Sequence, residues 1–202
     1  MHIDKETYKI KQVNRYKTKS PKTQIVIGVS LRKDSRHITR LQHKDFGETK
    51  RWNTYTISRD GTVYQHYDDK YHTDFLGIKE GDKRSISIVL ENMGALFQSG
   101  GKYINWLNEE CKEEDVVERD WLGYEFWERF PDVQLKSLIW LCNNLCDKHG
   151  IPKEFMEFCH HHKQTSKFKG IVFRGNYIED SSDMHPLLEI PKLSVMLLNE
   201  KV

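Results

Sequence analysis

The run QIVIGVS at residues 24 to 30 constrains the fold more than any other stretch of this chain. Ile25, Val26 and Ile27 are apolar and β-branched in succession, so a strand built from them needs cover on both faces. Such a strand belongs inside an α/β sheet. Gly28 stands at its exit, and carboxyl ends of strands are where α/β proteins gather their reactive groups.

Other elements follow from pattern. The segment RWNTYTISRDGTVYQHY (51 to 67) alternates around Asp60-Gly61, which predicts a hairpin. RSISIVLENMG (84 to 94) predicts another strand, closing on Gly94. PDVQLKSLIWLCNNLCDKHG (131 to 150) predicts a helix with Val133, Leu135, Leu138, Ile139, Leu141, Cys142 and Leu145 in its apolar stripe. Cys142 and Cys146 lie one turn apart on that side, which assigns them to packing. After GIP, a short strand is expected over 154 to 160, and FKGIVFRGNY (168 to 177) as an extended segment.

A chain of 202 residues predicts a single domain over 1–202, with a basic extension at 1–21 and a tail at 187–202 packing on or near the domain. The 32 basic and 30 acidic residues nearly cancel, so no global field draws it to nucleic acid. The lysines before residue 23 and the acidic stretch at 108 to 120 read as solvated surface. Its four cysteines lack paired CxxC spacing, no apolar run approaches a membrane span, and no signal peptide is evident, which points to a reducing, cytoplasmic setting. Trp106, Trp121, Tyr124, Phe126, Trp127 and Phe130 read as core more readily than as a sugar-binding wall.

A strand QIVIG, the hairpin YTISRDGTVYQHY, a loop KYHTDFLG, a strand SISIVLENMG, a helix at DVQLKSLIWLC, then GIP, three histidines and DMHP follow in order. In that order and spacing, from about residue 22 to 186, the chain resembles the type 2 N-acetylmuramoyl-L-alanine amidases. That family includes phage lytic amidases and peptidoglycan recognition proteins, and the resemblance is to a divergent phage-encoded branch. It implies a mixed α/β fold, a central mixed β-sheet flanked by helices, and a shallow cleft with Zn²⁺ on two histidines and an Asp or Cys. The implied reaction is hydrolysis of the amide between the lactyl group of muramic acid and L-alanine, with zinc polarising the carbonyl and activating water.

The family's first zinc histidine falls at Gly28, which has no side-chain donor. One of His160, His161 and His162 matches a later ligand, His161 by spacing back from Gly170, and Asp183 in DMHP matches the last. His37 is the candidate to complete a three-ligand set with them. The family's glutamate falls at Val89, with Glu91 two residues along on the same face. Tyr55 lies beside the position, near Asn53 and Thr54, that carries a Tyr or His in the family. Glu91 and Tyr55 are thus the candidate catalytic residues. His72, Asn92, Arg174 and Asn176 are candidate substrate-binding residues, Arg174 as a clamp for a carboxylate or phosphate. Each histidine also reads as ordinary surface, and Arg174 as an ion-pair partner.

Two functions follow. One is a peptidoglycan amidase of the phage lytic, endolysin kind with a rearranged zinc site. The other is a catalytically inactive protein on the same scaffold that binds or sequesters a muropeptide or another small anionic ligand.

Overall fold

The computed structural model describes residues 1–43, 47–157, 160–179 and 185–199. The elements in order are β1 (Ile3–Asp4), β2 (Gln24–Val29), α1 (Arg36–His43), β3 (Tyr55–Ile57), β4 (Val63–Gln65), α2 (Lys79–Arg84) and β5 (Ser85–Leu90). Then come β6 (Ala95–Ser99), β7 (Lys102–Ile104), β8 (Glu110–Cys111), β9 (Val116–Trp121), β10 (Tyr124–Glu128), α3 (Asp132–His149), β11 (Gly170–Phe173) and α4 (Ile190–Asn199). They form a mixed α/β fold with a central mixed sheet of order β1-β4-β3-β5-β2-β11. β2 runs parallel to both neighbours, pairing Ile25 with Ile86 and with Ile171.

Both faces of β2 are covered. Ile25, Ile27 and Val29 pack with Leu135, Leu138, Ile139, Leu141 and Cys142 of α3, and Leu193 and Leu197 of α4 join them. Val26, pointing the other way, packs with Leu76, Met156 and Val172. Helix α3 forms where the apolar period places it, though Val133 is 46% exposed and outside the buried stripe. Gln134, fully buried at the start of α3, donates from Nε2 to the backbone oxygens of Ile57 and Glu91, both at 2.9 Å, and so ties the helix to the ends of β3 and β5. The hairpin turn is held by Asp60, whose Oδ1 accepts from the Thr62 amide at 2.9 Å and from the Ser58 hydroxyl.

Several expectations need correction. Residues 95 to 128 build a second, five-stranded antiparallel sheet of order β8-β7-β6-β10-β9, which draws the acidic stretch into β8 and β9. Alternating charged and aromatic residues there put one face in solvent, so the charge hid the strands. The expected strand at 154 to 160 reduces to one bridge, Phe155 to Ile171; residues 158 and 159 lie outside the description. The segment at 168 to 177 is a strand only to Phe173 and then a 3₁₀ turn over Arg174–Asn176. The basic N-terminal segment lies along residues 66 to 74, with Ile10 N donating to His66 O and Tyr16 N to His72 O, each at 3.0 Å. Of the aromatic group, Trp127 and Phe130 are buried, while Trp106 is 57% exposed.

The two sheets meet at Asn92 and Glu128. Asn92 Oδ1 accepts from Gly94 N at 2.7 Å, and its Nδ2 donates to Glu128 O at 3.1 Å. Arg59, from the hairpin, pairs with Glu128 and Asp115, both at 3.0 Å. Glu91 lies beside this joint, buried, and its Oε1 has no hydrogen-bond partner among the described residues. Burial first, and then nearby acids, push both Glu91 and Glu128 up to about 7.

Two outcomes test these ties. Gln134→Leu leaves the buried Glu91 carbonyl without its amide partner and is expected to cost about 1–3 kcal/mol in urea denaturation. A carboxyl whose pKa is raised by folding stabilises below its unfolded value of 4.5 and loses that contribution as pH rises through about 7. Glu91→Gln is therefore expected to flatten the fall in stability over that window, seen as a smaller difference in Tm between pH 5 and pH 8.

Candidate functional site

The chain leaves β2 through Ser30 and follows β5 as far as Asn92, with Ser30 N donating to Leu90 O and Arg32 N to Asn92 O. Beside this path opens a cleft of about 430 Å³, floored by Val29, Ser30 and Val89 and walled by α1 and residues 51 to 53, 74 and 75. Gly28 lies behind it. A β-carbon placed there meets Phe75 Cζ at 3.2 Å, Arg174 Cδ at 3.5 Å and Arg174 Cβ at 3.7 Å. The missing side chain is thus replaced by two others: Phe75 and Arg174 close over the bare backbone, with the guanidinium carbon 5.6 Å from the ring centroid.

Charge in the cleft is one-sided. Arg32, Arg40, Arg51 and Arg174 line it, with Asp74 the sole carboxylate among the lining residues. Asp74 is engaged by Tyr16 OH at 3.1 Å and Lys50 N at 2.8 Å. Burial, followed by the like charge of Arg40, holds Arg32 below the ordinary guanidinium range, with Glu109 opposing. Guanidinium groups that repel one another in a partly desolvated cleft are relieved by an anion.

His37 also lines the cleft, and its ring nitrogen Nε2 lies 3.0 Å from Asn53 Oδ1. Asn53 uses Nδ2 to donate to Tyr55 O at 2.6 Å and Thr56 Oγ1 at 2.8 Å, so its oxygen must accept and His37 Nε2 carries the proton. Thr56 in turn donates to His66 Nε2 at 2.8 Å, and His66 Nδ1 donates to Tyr8 O at 2.9 Å. Burial lowers the His66 pKa to about 4, so this imidazole is neutral. The relay from His37 to Tyr8 joins five residues distant in sequence. The hairpin register pairs Thr56 with Tyr64, two residues from His66, so no directly facing pair signalled it.

The remaining candidates disperse. Tyr55 packs in the core on the α3 face, with its hydroxyl donating to Asp69 at 2.9 Å; Asp69 pairs with Lys148 at 2.8 Å. Asn92 serves the joint between sheets, and Glu91 is buried beside it. His72 is buried, stacked on Tyr16 with ring centroids 4.8 Å apart, so the N-terminal segment covers it. Asn176 is buried and structural: its Oδ1 accepts from Phe173 N at 2.7 Å and its Nδ2 donates to His160 O at 2.9 Å. His161 is exposed and outside the cleft lining, and Asp183 lies outside the described residues. Of the sequence-derived site residues, the cleft brings together His37 and Arg174.

A zinc ion needs three converging donors, and the cleft offers one imidazole whose Nε2 is committed to Asn53. Among the described residues no group of three or more His, Cys, Asp or Glu side chains is placed to hold a metal. Four guanidinium groups add repulsion against any cation, so the described residues lining the cleft do not fit the metal. No helix among the described residues is long and apolar enough to cross a membrane.

The fold has solved counterparts. The N-acetylmuramoyl-L-alanine amidase LysC from Clostridium intestinale URNW superposes with a TM-score of 0.53 at 13% identity, covering 99% of each chain. A mutant endolysin from Bacillus subtilis gives 0.56 at 13% identity, covering 98% of this chain and 99% of that one. The amidase AmiD from E. coli, in complex with anhydro-N-acetylmuramic acid-L-Ala-D-gamma-Glu-L-Lys, gives 0.56 at 16% identity, covering 96% of this chain and 65% of that one. At such identities the likeness is one of fold. No curated protein matches the chain. The family model for N-acetylmuramoyl-L-alanine amidase, however, matches residues 17–170, and with β2, β5, the hairpin and α3 inside that span, the chain belongs to this amidase family.

Proposed function

We propose that this protein binds a peptidoglycan fragment through its carboxylates and does not hydrolyse it by the zinc chemistry of its family. The observation that carries this reading is the closure of Phe75 and Arg174 over Gly28. The same replacement that withdraws a metal donor brings a guanidinium to the cleft, turning a cation site toward anions. A peptide stem with several carboxylates is the anion that a relative of peptidoglycan amidases meets. Arg32, Arg40, Arg51 and Arg174 supply the charge, and the tautomer of His37, fixed through Asn53, adds a polar group at the wall.

A second reading, a lytic amidase of phage type, draws support from His37 in the cleft. It would need ligands from outside the described residues. Calorimetry and product analysis separate the two. Purified protein is titrated with a muropeptide, with added zinc and with a chelator. Binding without release of stem peptide under either condition is expected, and chelator-sensitive release supports the amidase. Arg174→Ala is expected to weaken binding by about 1.5–3 kcal/mol, the loss of a charged hydrogen-bonding partner.

Restoring the family's histidine is a further test of the closure over Gly28. An imidazole there must displace Phe75 or Arg174, so Gly28→His is expected to lower Tm and to leave the protein without stoichiometric zinc by elemental analysis.

A further inference from the structure

The cleft does not end at its arginines. Leu31 and Trp106 line it on one side and, on the other, line a groove of about 320 Å³ on the second sheet. Met93 and Trp127 form the buried floor of that groove, and Phe97, Leu122 and Tyr124 its exposed rim. None of its lining residues carries a charge. The aromatic rings brace one another edge to face, Phe97 on Tyr124 at 5.6 Å and Tyr124 on Trp127 at 5.8 Å between centroids.

The ridge between the compartments is unusually constrained. Leu31 has φ 55°, a left-handed conformation that a bulky residue rarely adopts. Its side chain fits because Gly94 has none: a β-carbon at Gly94 would come within 2.5 Å of Leu31 Cδ2. Trp106, 57% exposed, is held by Nε1 donating to Leu31 O at 3.0 Å, with the Arg32 guanidinium carbon 5.3 Å from its ring centroid. A large indole fixed in solvent between an anion cleft and an uncharged groove has no packing role that would require its exposure.

We infer that cleft and groove are two halves of one site, the cleft taking the carboxylates of a peptidoglycan fragment and the groove its neutral sugar ring. This deepens the proposed function and rests on it. In a muramoyl peptide the lactyl carboxyl is consumed in the amide, so the sugar is uncharged and the negative charge lies in the peptide. The division matches the division of charge between the compartments. The groove's volume of about 320 Å³ suits one ring. Aromatic faces accept the apolar face of a pyranose while an open rim leaves its hydroxyls hydrated. Phe97, Trp106 and Tyr124 are then specificity-determining residues for glycan-bearing fragments.

Calorimetry with two synthetic probes tests this: N-acetylmuramoyl-L-Ala-D-γ-Glu-L-Lys and the free tripeptide L-Ala-D-γ-Glu-L-Lys. The muramoyl form is expected to bind about ten-fold more tightly to the unaltered protein. That preference is expected to collapse toward one in Phe97→Ser and in Tyr124→Ser, whose side chains are partly exposed and whose folding circular dichroism checks. Equal affinities in the unaltered protein, or a preference that survives both substitutions, would overturn the groove's role while leaving the cleft's intact. If neither probe binds, the reading of the cleft fails and the groove's role fails with it.

Discussion

Everything at the centre of this molecule is arranged around a contact made possible by an absent side chain. β2 is covered by α3 on one face, and on the other the chain needs some group at the level of Gly28 to fill the layer. Phe75 and Arg174 fill it from two segments far apart in sequence, and they do so at 3.2 to 3.7 Å from the vacant β-carbon position. Because Arg174 follows directly on β11, and β11 pairs with β2, the sheet itself fixes how far the guanidinium reaches. Position 28 is therefore a packing solution, and the side chains that occupy its vacant space also line the cleft.

The electrostatics follow from that exchange. In a site built for a metal, carboxylates and neutral imidazoles converge and arginine is kept away, because desolvated like charges cost several kcal/mol. Here the cleft tolerates Arg32 near Arg40 even though burial, and then their repulsion, lower the Arg32 pKa. A cleft lined by charge of one sign focuses its field on ions of the other. The buried relay behind His37 serves the same end: with His66 neutral, no further positive charge is added beneath the wall.

Local pattern made the central frame legible, and the long-range contacts stayed hidden. The apolar run of β2, the Asp60 turn and the stripe of α3 each depend on residues close in sequence, so periodicity finds them. The second sheet escaped because its strands are short and half solvated, and charged residues such as Glu118 and Asp120 stand where an apolar alternation would signal a strand. Gly28 was readable as a missing ligand, but its occupants were not, since nothing near Phe75 or Arg174 in sequence points toward β2. Tyr55, Asn92 and Asn176 carry polar groups in or beside conspicuous motifs and resemble site residues for that reason. Each instead satisfies a buried partner: Asp69, the Gly94 amide and the Phe173 amide.

The second sheet also shapes the cleft. Leu31 can turn left-handed only because Gly94 begins the crossing into β6, and Trp106 is anchored only because Leu31 presents its carbonyl in that conformation. Asn92 and Arg59 hold the crossing in place from the side of the central sheet. Remove the second sheet and the cleft loses one wall, the indole that contacts Arg32, and the steric reason for the strain at Leu31. Strain of that kind persists where surrounding structure over-determines it, and here the surrounding structure is the second sheet. The central sheet thus supplies the floor of the cleft, while residues 95 to 128 supply Trp106 on its wall and the floor and rim of the neighbouring groove.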